Sequence, residues 1–260
     1  MAMTLRRSFA IQRRVIGALV LREVITRYGR RNLGVLWMVV EPMLFTLGIV
    51  ALWTAIDIGK SRALSLPVFA LTGYTSLLLW RNCVNRCNQA IKANHMLLHH
   101  RNVRIFDIYV ARLILELGGV GASFLVLLTA FLMIGIGRVP YDILSVCIAL
   151  LLLAWFGIAL SFIIGFLSET SELVDRIWHV FTYLFFPFSG AMFLCDWLPE
   201  AFRSVVLWFP MVHGTELIRY GFFGPIATFH HDLTYFAAVN LVMSAIGMLM
   251  IPTLNRRIEP

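Results

Sequence analysis

Residues 143–167 read ILSVCIALLLLAWFGIALSFIIGFL, 25 positions without one charged side chain. As an α-helix this run extends about 37 Å, enough to cross the roughly 30 Å hydrocarbon core of a bilayer. Around it the composition agrees. Of 260 residues 60% are hydrophobic and only 14% charged, where a soluble domain carries about a quarter charged residues. The apolar surplus must face lipid, which excludes a soluble globular enzyme.

Similar runs predict six transmembrane helices, at Leu33–Ile56, Leu64–Trp80, Tyr109–Ile136, Ile143–Leu167, Ile177–Cys195 and Thr234–Leu254. The second, with Pro67 near its start, also fits a buried or re-entrant helix. Of the 22 Lys and Arg residues, seventeen fall in 1–32, 81–112, 168–176 and after 254, leaving Lys60, Arg62, Arg138, Arg203 and Arg219 elsewhere. The positive-inside rule then puts both termini and the basic loop in the cytoplasm. The expected organisation is an N-terminal segment 1–32, a membrane domain 33–254 with a cytoplasmic loop 81–108 and an external region 196–233, and a tail 255–260. Arginines interrupt 1–31 wherever a signal-peptide core would need to be, so that stretch reads as retained in the mature chain.

Within 13–31, Gly17, Val20, Leu21, Val24 and Tyr28 share a stripe while Arg22, Glu23, Thr26 and Arg30 lie off it, the pattern of an amphipathic interface helix. Such a helix is a lipid anchor, or a gate or docking surface; the sequence leaves both open. Region 196–233 is unusually apolar for an external connection, and Pro210 divides it into pieces too short to span. Re-entrant half-helices and helices resting on the surface both fit. Gly157, Ser161 and Gly165 form a small-residue ladder that marks a close helix contact, within or between subunits.

Catalytic motifs are lacking. Gly59-Lys60-Ser61 imitates the end of a phosphate-binding loop, but Thr54 stands where that loop needs Gly. Cys83 and Cys87, like His95 and His99, are one turn apart, which leaves a metal site open beside ordinary packing; no disulfide can be assigned. Glu41, about six residues into the first span next to Pro42, is either a packing residue or a functional one. Arg112 and Glu116 suit an i,i+4 ion pair, and the acidic 168–176 stretch suits a solvated cytoplasmic turn or a contact with a basic patch on a partner protein. Phe181 and Phe185, also i,i+4, either belong to an aromatic belt with Trp37 or line a path on which sugar C–H faces stack.

Several stretches resemble the membrane subunit of capsular-polysaccharide ABC exporters, a branch of the type-two ABC permeases. They are LREVITRYGRRNLGVLW at 21–37 followed by Glu41-Pro42; Ala90 through Asn94, Leu97 and Leu98 to Asp107, Ala111-Arg112 and Glu116; and Pro210-Met211-Val212-His213 with Glu216-Leu217-Ile218-Arg219. The resemblance implies a half-transporter in the bacterial inner membrane that dimerises and binds two copies of a separate ATPase. ATP and Mg would be bound by that partner, with no cofactor on this chain. Lipid-linked polysaccharide would be the cargo, a periplasmic co-polymerase and an outer-membrane export protein further partners, membrane lipid the surroundings, and nucleic acid no partner. By the same resemblance Cys87, Ala90, Asn94, Leu97, Leu98 and His100 form a coupling helix for the ATPase. Arg27, Tyr28, Arg30 and Arg31 take the anionic anchor; Trp37, Glu41, Phe181 and Phe185 line the path; and Pro210, His213, Glu216 and Arg219 close the external mouth. One departure is that Asn102-Val103-Arg104-Ile105 lacks the proline often found before the aspartate matching Asp107. Competing readings are an exporter of O-antigen or another lipid-linked glycan, a membrane-embedded enzyme using Glu41, His213 or Glu216, and a structural scaffold.

Overall fold

A computed structural model describes residues 5–28, 33–55, 64–92, 94 and 103–258. Among them the chain is helical, with no strand: α1 (Leu5–Tyr28), α2 (Leu33–Ala55), α3 (Leu66–Cys87), α4 (Ile105–Ile134), α5 (Ile143–Thr170), α6 (Glu172–Leu184), α7 (Glu200–Val206), α8 (Pro210–Phe223) and α9 (Leu233–Ile258), with short 3₁₀ turns between. Four helices are long and apolar enough to cross a membrane: α2 over 36–55, α4, α5, and α9 over 233–251.

The bundle is built around α3. All residues from 68 to 80 are buried, although Thr72, Thr75 and Ser76 lie among them, because α2, α4, α5 and α8 pack around it. The Thr72 and Ser76 hydroxyls need no outside partner: Thr72 donates back to Val68 O at 2.9 Å and Ser76 to Thr72 O at 2.8 Å. The small-residue ladder of α5 works inside the subunit. A Cβ on Gly157 would lie 2.9 Å from the Cα of Trp80, and one on Gly165 2.5 Å from the ring of Tyr109, so the glycines admit α3 and α4 against α5. Polar bonds tie α5 to α9, from Trp155 Nε1 to Ser244 at 2.8 Å and from Asn240 to Leu152 O at 3.0 Å.

Pro42 sits inside α2 and deprives the helix of one N–H. At that irregularity Ser123 of α4 donates to Val39 O at 2.6 Å. Gly119 lets Met38 approach, since a Cβ there would meet Met38 O at 3.1 Å. At the start of α4 the carboxylate of Asp107 accepts the Arg104 N–H at 3.0 Å. That cap supplies the stop a proline would otherwise provide before this helix.

The run expected as one helix over Ile177–Cys195 is corrected. Its helix begins at Glu172, ends at Leu184 and gives way to turns through Pro187 and Gly190, whose φ is +75°. Thirteen residues rise only about 20 Å. The expected 168–176 turn is likewise reduced to a one-residue break at Ser171, extended at φ −149° and ψ 121° between α5 and α6.

Candidate functional site

Three constellations bring the sequence-selected residues together. The first surrounds Pro210, which opens α8 after the seven-residue α7. One turn on, His213 is held on both ring nitrogens. The Asp232 N–H donates to Nδ1 at 2.9 Å, so Nε2 carries the proton and donates to Leu207 O at 2.8 Å. Glu216, fully buried, accepts the backbone N–H of Cys195 on Oε1 and that of His230 on Oε2, each at 3.1 Å. Arg219, also fully buried, donates through Nη1 to Gly190 O at 2.6 Å and to Phe193 O, and through Nη2 to Ala191 O at 2.7 Å. Its guanidinium lies 3.9 Å from the centroid of Phe69, and Nη1 approaches Glu216 at 4.0 Å. One helix thus pins the turns after α6, the loop before α9 and the face of α3. The buried charge is tolerated because carbonyl dipoles, a carboxylate and a π face surround it. Such contacts hold structure: both ring nitrogens of His213, both oxygens of Glu216 and both Nη groups of Arg219 are engaged by backbone, while Arg219 Nε has no hydrogen-bond partner among the described residues.

The second is an aromatic groove between α3, α5, α6, α8 and α9, with a cavity of about 240 Å³. Phe181 and Phe185 stack in it at 5.2 Å, Phe209 meets Phe185 edge-on at 5.4 Å, and Pro210, Trp80 and Trp178 complete the wall. The tertiary structure therefore joins two selected path residues to a selected gate residue. Two polar groups of this wall are bonded internally, Trp178 Nε1 to Asn85 Oδ1 at 3.0 Å and the Thr182 hydroxyl to Trp178 O at 2.8 Å. The groove therefore offers ring faces and no hydrogen bonds.

The third lies where α1 crosses α3 and α4. Arg27 binds Glu23 at 2.9 Å and also Glu116; Arg86 reaches Glu116 at 3.2 Å; Arg112 reaches Glu23 at 3.2 Å and donates to Arg86 O at 2.5 Å. Burial works against the Arg27 charge, but the Glu116 and Glu23 carboxylates outweigh it and hold this guanidinium above its ordinary pKa. The i,i+4 pair expected between Arg112 and Glu116 gives way to links between helices. Each side chain instead finds its partner on α1, which lies across their face, and α3 supplies a further cation.

From this network the chain runs into the coupling segment. Cys87 and Ala90 are buried, and Asn94 accepts from Arg22 of α1 at 2.7 Å. The acidic corner between α5 and α6 is engaged rather than merely solvated. Glu169 accepts the Ile91 N–H at 2.7 Å, Asp175 takes both Asn88 and Gln89 side chains, and Ser168 takes the Gln89 N–H at 3.2 Å. Gln89 has φ +49° there. These acidic partners went unassigned in the sequence because no local spacing links 88–92 to 169–175. Arg30, Arg31, Leu97, Leu98 and His100 lie outside the described residues, as does the side chain of Tyr28. Trp37 and Glu41 are exposed on α2, apart from the three constellations. Cys83, Cys87 and Cys195 are buried thiols and Cys147 is exposed.

Residues 14–223 match the family model of the ABC-2 type transporter. The chain is 38% identical over 257 residues to the capsule polysaccharide export inner-membrane protein BexB of Haemophilus influenzae, covering 99% of this chain and 97% of that one. It is 40% identical over 253 residues to the capsule polysaccharide export inner-membrane protein CtrC of Neisseria meningitidis serogroup B, covering 97% and 96%. To the polysialic acid transport protein KpsM of Escherichia coli it is 29% identical over 250 residues, covering 95% and 96%. With a helical bundle, four helices able to cross a membrane and this end-to-end similarity, the chain belongs to the ABC-2 transporter membrane family.

Proposed function

We propose that this chain is the inner-membrane permease subunit of an ATP-driven exporter of capsular polysaccharide. The carrying observation is its similarity, over nearly the full length of both chains, to two proteins named for capsule polysaccharide export. In this reading two copies form the conduit and two copies of a separate ATPase drive it, with α3, and α6 together with the turns that follow it, completing six crossings and both termini cytoplasmic. The cargo is a lipid-linked polymer, handed on to periplasmic and outer-membrane partners.

The internal bonding supports a mechanism. Closure of the ATPases would push on 88–94, a segment bonded to α1 through Arg22 and to the α5–α6 corner through Glu169 and Asp175. One displacement at the cytoplasmic end would therefore move α1, α5 and α6 together. At the other end α8, knotted through Glu216 and Arg219, would hold the mouth closed between strokes. Hydrolysis would reset the arrangement.

The test is deletion of the gene in its own host, with plasmid complementation. The expected outcome is loss of surface polymer with accumulation inside the cell, restored by the wild-type chain, and a tagged chain that co-purifies an ATPase. Unchanged surface polymer in the deletion strain, or a chain purified intact without any ATPase, would overturn the proposal.

A further inference from the structure

The segment 227–232 carries the chain towards α9, and two bonds seat its backbone on α8. The His230 N–H donates to Glu216 at 3.1 Å and the Asp232 N–H to Nδ1 of His213 at 2.9 Å. The second of these exists in one protonation state only. A backbone N–H donates and never accepts, so Nδ1 must keep its lone pair while the Nε2 proton serves Leu207 O at 2.8 Å. A proton added to the ring would go to Nδ1 and set two donors against each other. Turning the ring over brings no relief, because an imidazolium donates at both nitrogens.

The surroundings favour the neutral ring. His213 is buried in the first turn of α8, and its partner Asp232 immediately precedes α9, where its carboxylate accepts the Tyr235 N–H at 3.0 Å. Two helix N-termini, each carrying partial positive charge, therefore converge on the imidazole. Burial pushes its pKa down, and the Leu207 carbonyl and the Asp232 carboxylate act in the opposite direction without outweighing it. Other titratable groups crowd the same corner. His231, its ring 5.5 Å from that of Tyr220, is held below its ordinary pKa first by burial and then by His213. Burial raises the pKa of Glu216. His230 lies 3.5 Å from Asp196, a contact that protonation would strengthen. Arg203 is taken up by Cys195 O and Leu198 O, and Arg219, lowered to about 10 by burial, stays charged and keeps α8 on the turns after α6.

We propose that His213 is an acid-released latch: its neutral ring seats the 227–232 segment on α8, and protonation of Nδ1 frees that segment and the start of α9. Because the folded state lowers this pKa, the bond is fully present above about pH 6.5 and is lost as the pH falls through the lower value. Asp232 is exposed, so water reaches the bond directly. A second cation forming on His231 would drive the segment outward, while His230 and Asp196 would tie its far side down, so the segment swings rather than unfolds. The inference stands on the bonds around the ring and not on the exporter reading. On the topology proposed above, the latch responds to acidity outside the inner membrane and loosens the connection of α8 to the last span.

The test is hydrogen–deuterium exchange of the full chain in phosphatidylcholine nanodiscs at pH 7.5 and pH 5, read as protection once the intrinsic pH dependence of exchange is divided out. In wild type, peptides covering 227–235 should lose roughly tenfold in protection at pH 5, the worth of one buried hydrogen bond, while peptides within α5 keep theirs. His213→Asn, whose amide oxygen can accept the Asp232 N–H at either pH, should remain protected at both. His231→Gln should still release. Equal protection of 227–235 in wild type at the two pH values would overturn the proposal, and that measurement needs no variant. Release that persists in His213→Asn, or that disappears in His231→Gln, would assign the titration to Glu216 or His231 and overturn it as well.

Discussion

Replacing Arg219 with Met removes the pin between α8 and the turns after α6 while keeping an unbranched side chain of similar length. Three carbonyls, of Gly190, Ala191 and Phe193, lose their donor, and Glu216 loses its nearby cation. Each buried carbonyl left without a partner costs about 1–3 kcal/mol, and local relaxation recovers part of that sum, giving a net loss of about 4 kcal/mol. For a chain of this size 1 kcal/mol moves the midpoint by roughly 2–4 °C, so the drop should be on the order of 10 °C. The assay is thermal unfolding of the detergent-purified chain followed by tryptophan fluorescence. Arg219→Lys, with a charge but no fork to span three acceptors, should fall between. Arg203→Gln should cost less, because the bonds it breaks, to Cys195 O at 3.1 Å and Leu198 O at 3.2 Å, are only partly buried. A midpoint for Arg219→Met within about 2 °C of wild type would show that these carbonyls find other donors and that the knot is not a stability element.

Gly73→Ala should reproduce much of that loss, since its Cβ would sit 2.2 Å from Ala191 O and 2.7 Å from Arg219 Nη2; normal thermal stability would contradict the packing described. Arg27→Glu should release α1, measured as faster proteolysis within residues 5–28, and the exchange Arg27→Glu with Glu116→Arg should recover roughly 1–2 kcal/mol through its coupling; a cycle with no coupling would refute the contact. With the Arg27 pKa raised, the guanidinium stays charged and its contribution is lost only above that raised value. Protease protection of α1 should therefore be the same at pH 7 as at about pH 10, and progressive release over that interval would count against the network. Joint replacement of Glu169 and Asp175 by Gln and Asn should leave the ATPase bound but lower the yield of surface polymer severalfold, whereas wild-type export would detach the α5–α6 corner from coupling.

Composition and periodicity were enough to identify an all-helical membrane chain. The long apolar runs that become α2, α4, α5 and α9 declare themselves locally, because lipid demands about twenty predominantly apolar residues in a row. Pro210 announces a break and Gly157 and Gly165 a close contact by the same local logic. The resemblance carried by 21–37 and 210–219 pointed to the family. What only the tertiary structure decided depends on partners far apart in the chain. Arg112 and Glu116 look like a pair within one helix until α1 is laid across them, and Asp175 and Glu169 look solvated until 88–92 folds onto them. Arg219 reads as a stray external charge although it is fully buried. Sequence periodicity reports which face of a helix is apolar, but the partner of a buried charge is set by which helices the fold brings within about 4 Å, and at that range desolvation and pairing, rather than local pattern, determine whether the charge can stay.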